Sequence, residues 1–406
     1  MKDYFQFIGR NPLMLSFGFA LTFLSGTGQT FLLSLYVPEL AETLQVSMGK
    51  MGSYYAVATL SSAALLSYLG SLIDRVSLDR YTLSVLVGSV MALAFLSISH
   101  HWWMVVIGLL GLRLTGQGLM SHVSITSMAR YFDKDRGKAI SLATLGFPAS
   151  EAVLPLIVAL IIAAVGWRWS LRLSALFVLV VALPLLYLML KRLARFYDLS
   201  LRTEKGRAEE LKKVPFRLVL SRANFWLIAP NVFLLGFINT AIFFYQVELG
   251  NVRDWSRTEV AASLGAFAMA SAVGMFLSGP LVDRFSAKRI FPWYLFPYLI
   301  SLLGLAYIQP AWAYPLVLVG LGLSNGLGNT VKNALMAELF GLRLLGSVRS
   351  IFTVLMVIST ALGPLSFGLL LDAGYSFKKV FLLVALAIAL AILQSFRASR
   401  HQPQRL

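Results

Sequence analysis

Apolar runs of about twenty residues, parted by short polar or glycine-bearing breaks, recur along nearly the whole chain. They fall at 13–35, 51–69, 81–98, 102–123, 139–165 and 171–190, and, after one long polar stretch, at 225–247, 260–277, 290–308, 312–331, 350–371 and 380–396. A run of this length matches the hydrocarbon thickness of a bilayer when coiled as a helix. Strands of a membrane barrel would instead alternate apolar and polar over roughly ten residues, and these runs do not. The pattern therefore predicts an all-α integral membrane protein of twelve transmembrane helices. It is expected to form two six-helix bundles, 1–190 and 223–406, joined by a cytoplasmic linker at 191–222.

Composition agrees: 58% of residues are hydrophobic, 13% are charged, and the mean hydropathy is +0.76. Soluble domains carry about 25% charged residues, so a water-soluble fold is excluded. With no cysteine in the chain, disulfides and thiolate metal or redox sites are excluded too. The opening MKDYFQFIGRNP has no basic-then-apolar leader, so insertion is expected to rely on the first span.

Charge sets the orientation. With both termini in the cytoplasm, 26 of the 35 basic residues lie on the cytoplasmic side, seven lie in outer loops, and Arg113 and Lys332 lie within spans. This asymmetry predicts cytoplasmic termini. It also accounts for the net charge of +17 through anionic lipid headgroups, with no nucleic-acid partner. Ten of the basic residues sit in the linker, whose mixed charge predicts an amphipathic surface helix.

One segment occurs twice. GSLIDRVSLDR, Gly70 to Arg80, returns 209 positions later as GPLVDRFSAKR, Gly279 to Arg289, with six identities in register. A duplicated charged loop after the second and eighth spans implies two related halves. Small residues at Gly70 and Gly279 would let helix ends approach closely. An Asp near a neighbouring helix N-terminus would be favoured by its dipole, by about 0.3–1 kcal/mol. A tight cytoplasmic turn anchored by Asp74, Arg75 and Arg80 is the plainer reading.

With six-plus-six spans, a long central loop and this repeat, the chain resembles the major facilitator superfamily of secondary transporters. Gly70, Leu72, Asp74 and Arg75, and again Gly279, Leu281, Asp283 and Arg284, match the family's loop pattern, while Ser77 and Ser286 stand where the pattern has Gly. The resemblance implies two pseudo-symmetric bundles working by alternating access. It also implies a gating role for Gly70, Asp74, Arg75, Arg80, Gly279, Asp283 and Arg284, with Asp74 bracing the start of the eleventh span near 346–350. RLTGQG at 113–118, ARYFDKDRGKA at 129–139 and GWR at 166–168 are similar to bacterial members of the monocarboxylate-transporter-like branch.

Inside the spans, ionisable groups are rare, and each is a functional candidate because a midplane charge costs at least about 2.5–3.5 kcal/mol. Arg113 lies about eleven residues into the fourth span and Glu151 about twelve into the fifth, at similar depth on consecutive helices. Arg113 offers a planar fork for a carboxylate or phosphate. Glu151 could carry a coupled proton, since burial favours its neutral form and a nearby arginine its anion. A permanent ion pair that only fixes two helices is the alternative.

Two polar stripes complete the set. Gly18, Thr22, Ser25, Gly26 and Gln29 share a face of span one, and Gly322, Asn325, Gly326, Asn329 and Asn333 a face of span ten, either lining a cavity or forming a packing seam. Gln29, Gln117, Asn239, Tyr245, Asn325 and Asn329 are candidate substrate contacts. His122 is a candidate proton relay or a cap on a neighbouring helix.

No phosphate loop, nucleophile elbow or metal spacing is present, so no enzyme activity and no cofactor are expected. The leading expectation is a proton-coupled carrier of a small organic anion or polar metabolite, monomeric, in a bacterial inner membrane. The alternatives are a proton-driven exporter of apolar or cationic compounds, with the 28 phenylalanines as an adaptable wall, and a metal-ion carrier using His122, Met120, Met269 and Met275.

Overall fold

The computed structural model describes residues 2–132, 135–195, 219–340 and 345–400, and these are helical apart from short turns. Nine helices among them are long and apolar enough to cross a membrane unaided. In the first half these are Met48–Asp74 (span two), Leu78–Ser97 (three), Trp102–Tyr131 (four), Arg136–Val165 (five) and Trp167–Leu193 (six). In the second half they are Asn224–Val252 (seven), Arg257–Phe285 (eight), Val348–Asp372 (eleven) and Phe377–Arg397 (twelve).

The other three expected spans are irregular or more polar. Span one runs as Pro12–Leu24, a tight turn Ser25–Gly28, a further turn Thr30–Leu33 and a helix Val37–Leu44. Span nine is helical over Phe296–Tyr307, with Pro297 in its first turn, where no N–H is required, and Pro292 in the turn before it. Span ten, Tyr314–Phe340, is long enough but carries Asn325, Asn329, Lys332, Asn333 and Glu338. Most helices outrun the apolar windows at their charged ends. Span four continues from 123 to Tyr131, and span eight from 277 to Phe285, since helical hydrogen bonding does not stop where lipid does.

The first unit comprises residues 1–46 and 57–205, and the second 47–56 and 206–406. The division between 205 and 206 lies inside the expected linker, whose stretch 196–218, with its expected surface helix, is outside the described residues. The opening turns of span two, 47–56, group with the second unit, which the hydropathy pattern does not anticipate.

Burial runs opposite to that of a soluble protein. Leu156, Ile157 and Leu160 of span five, Leu176, Phe177 and Val180 of span six and Phe276 of span eight, the last 88% exposed, present apolar surface outward. Their number makes sense only against lipid. Exposed tryptophans cluster at span ends, at Trp102, Trp103, Trp169, Trp226, Trp293 and Trp312, where their amphipathic rings suit the headgroup level. Arg168 and Arg172 lie over the rings of Trp167 and Trp169 at the start of span six. The chain is a multi-pass membrane protein.

Candidate functional site

Ser25–Gly28 reads SGTG, two glycines with little helical preference and two hydroxyls that bond back to the helix, Ser25 Oγ to the Thr22 carbonyl at 2.6 Å and Thr27 Oγ1 to that of Leu24 at 2.9 Å. The chain tightens there and leaves Gln29 extended and half-buried. Opposite this turn, span four is π-helical over Arg113–Met120. Span six has a π-turn too, at Val178–Ala182, but there Pro184 follows and supplies a cause. Span four has no proline. Its irregularity coincides with a backbone crossing: a Cβ on Gly28 would overlap the Leu112 carbonyl, and Gly116 and Gly28 lie against each other. Wide turns of this kind recur at functional sites.

Arg113 opens that π-helical segment. Only 4% exposed, it donates from Nη1 to Thr30 Oγ1 at 3.3 Å, reaching the turn just beyond Gln29. Span five closes on the same stretch, with Ser150 against Gly26 and Thr22 Oγ1 donating to the Ala143 carbonyl at 2.5 Å. Glu151, beside Ser150, is half-buried. Among the described residues no ion pair joins it to Arg113, so the permanent pair left open by the sequence is not formed. Pro155, four residues on, has no N–H to give to the Glu151 carbonyl. In span seven the same lesion at Pro230 is repaired, because Gln394 Nε2 donates to the Trp226 carbonyl at 2.8 Å. Arg113 and Thr30 thus meet at residues 25–33, with Ser150 packed on the same turn, Glu151 next to it along span five, and Gln29 and Gln117 half-buried nearby in sequence.

His122 sits elsewhere. Its Nε2 is 3.1 Å from the Gly70 carbonyl, a bond that needs the proton on Nε2 and caps the end of span two. Arg130, two turns further, pairs with Asp74 at 2.7 Å, and Tyr81 donates to the Leu69 carbonyl at 2.8 Å. The first copy of the repeated loop is therefore held by side chains. The close approach expected at Gly70 and Gly279 is absent among the described residues: a Cβ on Gly70 would reach only the side chains of His122 and Leu66, at 3.7 and 3.9 Å, and one on Gly279 would meet nothing within 4 Å. Arg75, Arg80, Asp283 and Arg284 are exposed, Arg284 lying over the Phe285 ring. The expected brace to Asp74 begins at Gly346 and Ser347, which lie outside the described side chains.

In the second copy an acid replaces the arginine. Glu338, at the end of span ten, accepts the backbone N–H groups of Ala287 and Lys288 at 2.9 and 3.2 Å. Just before them Ser286 takes φ 68°, ψ 151°, whereas Ser77 in the first copy is ordinarily extended at φ −60°, ψ 144°. The glycine of the family pattern is thus missed sterically in the second copy alone.

The candidates in the second unit divide. Asn325 donates to Ser271 Oγ at 3.2 Å, and Gly326 abuts the Ser271 carbonyl so closely that a Cβ would overlap it. This part of the span-ten stripe is a packing seam with span eight. Asn329 is exposed, and Asn239 is half-buried with its Oδ1 shielded and without a partner among the described residues. Tyr245 is fully buried, and its hydroxyl lies 2.7 Å from the Pro364 carbonyl and 2.9 Å from that of Met48, so it serves packing in this conformation.

Asp372 lies at a span end, where a charge carries no signal of its own in the sequence. It ends span eleven and accepts Ser47 Oγ at 2.6 Å and the Gly49 N–H at 3.1 Å, capping the start of span two within the second unit. The available signal was electrostatic, since an acid at a helix C-terminus opposes the dipole unless it serves another helix. For the metal reading, no cluster of three His, Cys, Asp or Glu occurs among the described residues; Met120 is fully buried, and Met269 and Met275 are exposed.

Comparison with known proteins agrees with this architecture. The sequence profile of the Major Facilitator Superfamily matches residues 18–364 and 246–406. The MFS-type transporter pynF of Aspergillus niger (strain ATCC MYA-4892 / CBS 513.88 / FGSC A1513) is 24% identical over 270 residues, which are 66% of this chain and 58% of that protein, so the match spans little more than half of the relative. In three dimensions the chain is similar to the nucleoside transporter NupG (TM-score 0.76, 12% identity, 96% of this chain and 99% of that one). It is also similar to the inward-facing, unoccupied crystal structure of a bacterial homolog to the human lysosomal transporter Spinster (TM-score 0.73, 13% identity, 96% and 98% coverage). At such identities these likenesses speak for the fold, while the profile, spanning most of the chain, speaks for descent: the chain belongs to the Major Facilitator Superfamily.

Proposed function

We propose that this protein is a secondary active transporter that moves a small organic anion or similarly polar metabolite by alternating access, coupled to protons. The observation that carries the reading is Arg113: an obligate cation, only 4% exposed where span four turns π-helical, with Nη1 3.3 Å from Thr30 Oγ1 beside the break in span one. Its planar fork at that depth suits a carboxylate or phosphate brought to the broken stretch of span one. Glu151 flanks the same broken stretch of span one, and no ion pair holds it to Arg113. When substrate occupies Arg113, the field that favours the Glu151 anion weakens, and the acid takes up a proton. The resemblance at 113–118 and 129–139 to the monocarboxylate-transporter-like branch supports a carboxylate as the anion. A bacterial inner membrane and cytoplasmic termini accord with the distribution of basic residues, and a monomer suffices for the mechanism. The repeated loops, braced by Arg130 and Glu338, act as gate rather than binding site.

Reconstitution into liposomes with an imposed pH gradient tests this. Wild-type protein should accumulate a short carboxylate against its gradient, and cationic dyes should not compete. Arg113→Lys keeps the charge but loses the fork, and should lower uptake about tenfold, the worth of one charged hydrogen bond. Glu151→Gln should abolish the dependence on the pH gradient while leaving carboxylate exchange intact. Proton-driven accumulation that survives Glu151→Gln would end the coupling assignment, and competition by cationic dyes would favour the exporter reading.

A further inference from the structure

The broken entry to span nine leaves an apolar groove at the end of the second unit. Residues 291–295 form turns before the helix begins at Phe296, with Tyr294 packed against Gly328 of span ten and an open groove beside it. The groove has a volume of about 380 Å³. Leu281 and Phe285, one turn apart on span eight, form one wall, and Ile290 and Leu327 form the other. Three further lining groups are of a different kind. Arg289 is exposed at the rim. Trp293, 58% exposed, stands edge-on to Phe396 at 5.5 Å. Tyr294 is buried, and its hydroxyl has no hydrogen-bond partner among the described residues.

We propose that this groove binds an anionic phospholipid, with an acyl chain between Leu281, Phe285 and Leu327 and the phosphate at Arg289. Charge selects the occupant. Arg284 and Arg289 are exposed within six positions of each other, and Lys288 adds to them. Two acids stand nearby, Glu338, which accepts the N–H groups of Ala287 and Lys288, and Asp283, exposed beside Arg284, so the local balance stays positive and Arg289 is the cation at the groove itself. Basic pockets between spans at a membrane face suit anionic headgroups, and a tryptophan at the mouth marks the interfacial depth such a headgroup occupies. Free phosphate fits the arginine but leaves apolar walls unfilled. The site lies wholly in the second unit and stands apart from the transport reading.

Native mass spectrometry of the full, delipidated protein in detergent tests the assignment, with dioleoylphosphatidylglycerol, dioleoylphosphatidylcholine and inorganic phosphate as probes. Phosphatidylglycerol should bind more tightly than phosphatidylcholine, and phosphate should not be retained. Arg289→Gln, an exposed and structurally mild change, should weaken phosphatidylglycerol about fivefold, as expected for one basic side chain at an anionic headgroup, and leave phosphatidylcholine unaltered. Leu327→Trp should fill the groove and weaken both lipids. Equal binding of the two lipids by wild-type protein would overturn the proposal, as would phosphatidylglycerol binding indifferent to Arg289→Gln, whatever the folding of the tryptophan variant.

Discussion

Ser286 shows how two copies of one sequence motif can diverge at a single torsion. At φ 68°, ψ 151° it occupies a region open almost only to glycine, at a cost of about 1–3 kcal/mol, whereas Ser77 sits in relaxed extended backbone. Ser286→Gly should therefore raise the stability of the purified protein by about 1 kcal/mol, net of the extra freedom glycine brings to the unfolded chain. Ser77→Gly, at a helix N-cap, should lower it slightly. Thermal unfolding in detergent reads both, and equal effects would mean that the positive φ stores no strain. The ion pair of Arg130 with Asp74 calls for the opposite restraint. Asp74 is 68% exposed, so a 2.7 Å contact is worth no more than about 1 kcal/mol and orients the loop more than it stabilises it.

Between elements, the connection that matters most is Asp372 at the start of span two. It serves Ser47 and Gly49 where span two has unsatisfied N–H groups, and it escapes the unfavourable dipole of its own helix. Asp372→Ala should cost about 0.5–2 kcal/mol, and Asp372→Asn, which keeps an acceptor, clearly less. Matched losses for the two variants would show that the contact is idle. The spans themselves were legible in the sequence because lipid enforces length and apolarity together, and Arg113 and Glu151 were legible because charge there is expensive. Their partners were not. Thr30 is an ordinary hydroxyl in an apolar run, and only the break at Ser25–Gly28 turns it toward Arg113. Likewise the stripe at Gly322, Asn325 and Gly326 has the spacing of a cavity face, and only the Ser271 backbone lying against Gly326 makes it a seam.

At the scale of the molecule, topology is the property most open to test, since the chain has no cysteine to remove beforehand. Ser71→Cys, in the first repeated loop, and Ser376→Cys, between spans eleven and twelve, both replace exposed serines. A membrane-impermeant maleimide applied to intact cells should label the second and spare the first until the membrane is permeabilised. Labelling in the reverse order would invert the orientation drawn from the basic residues. The three irregular spans also bear on biogenesis. A segment enters the bilayer from the translocon according to its own apolarity, and one, nine and ten are broken, short or studded with amides and charges. Span one carries its SGTG break, span nine twelve helical residues, and span ten Lys332 and Glu338. By that measure these are the spans expected to need a neighbour over their polar groups on entry, so the irregularities that shape the finished protein also mark where its insertion is least self-sufficient.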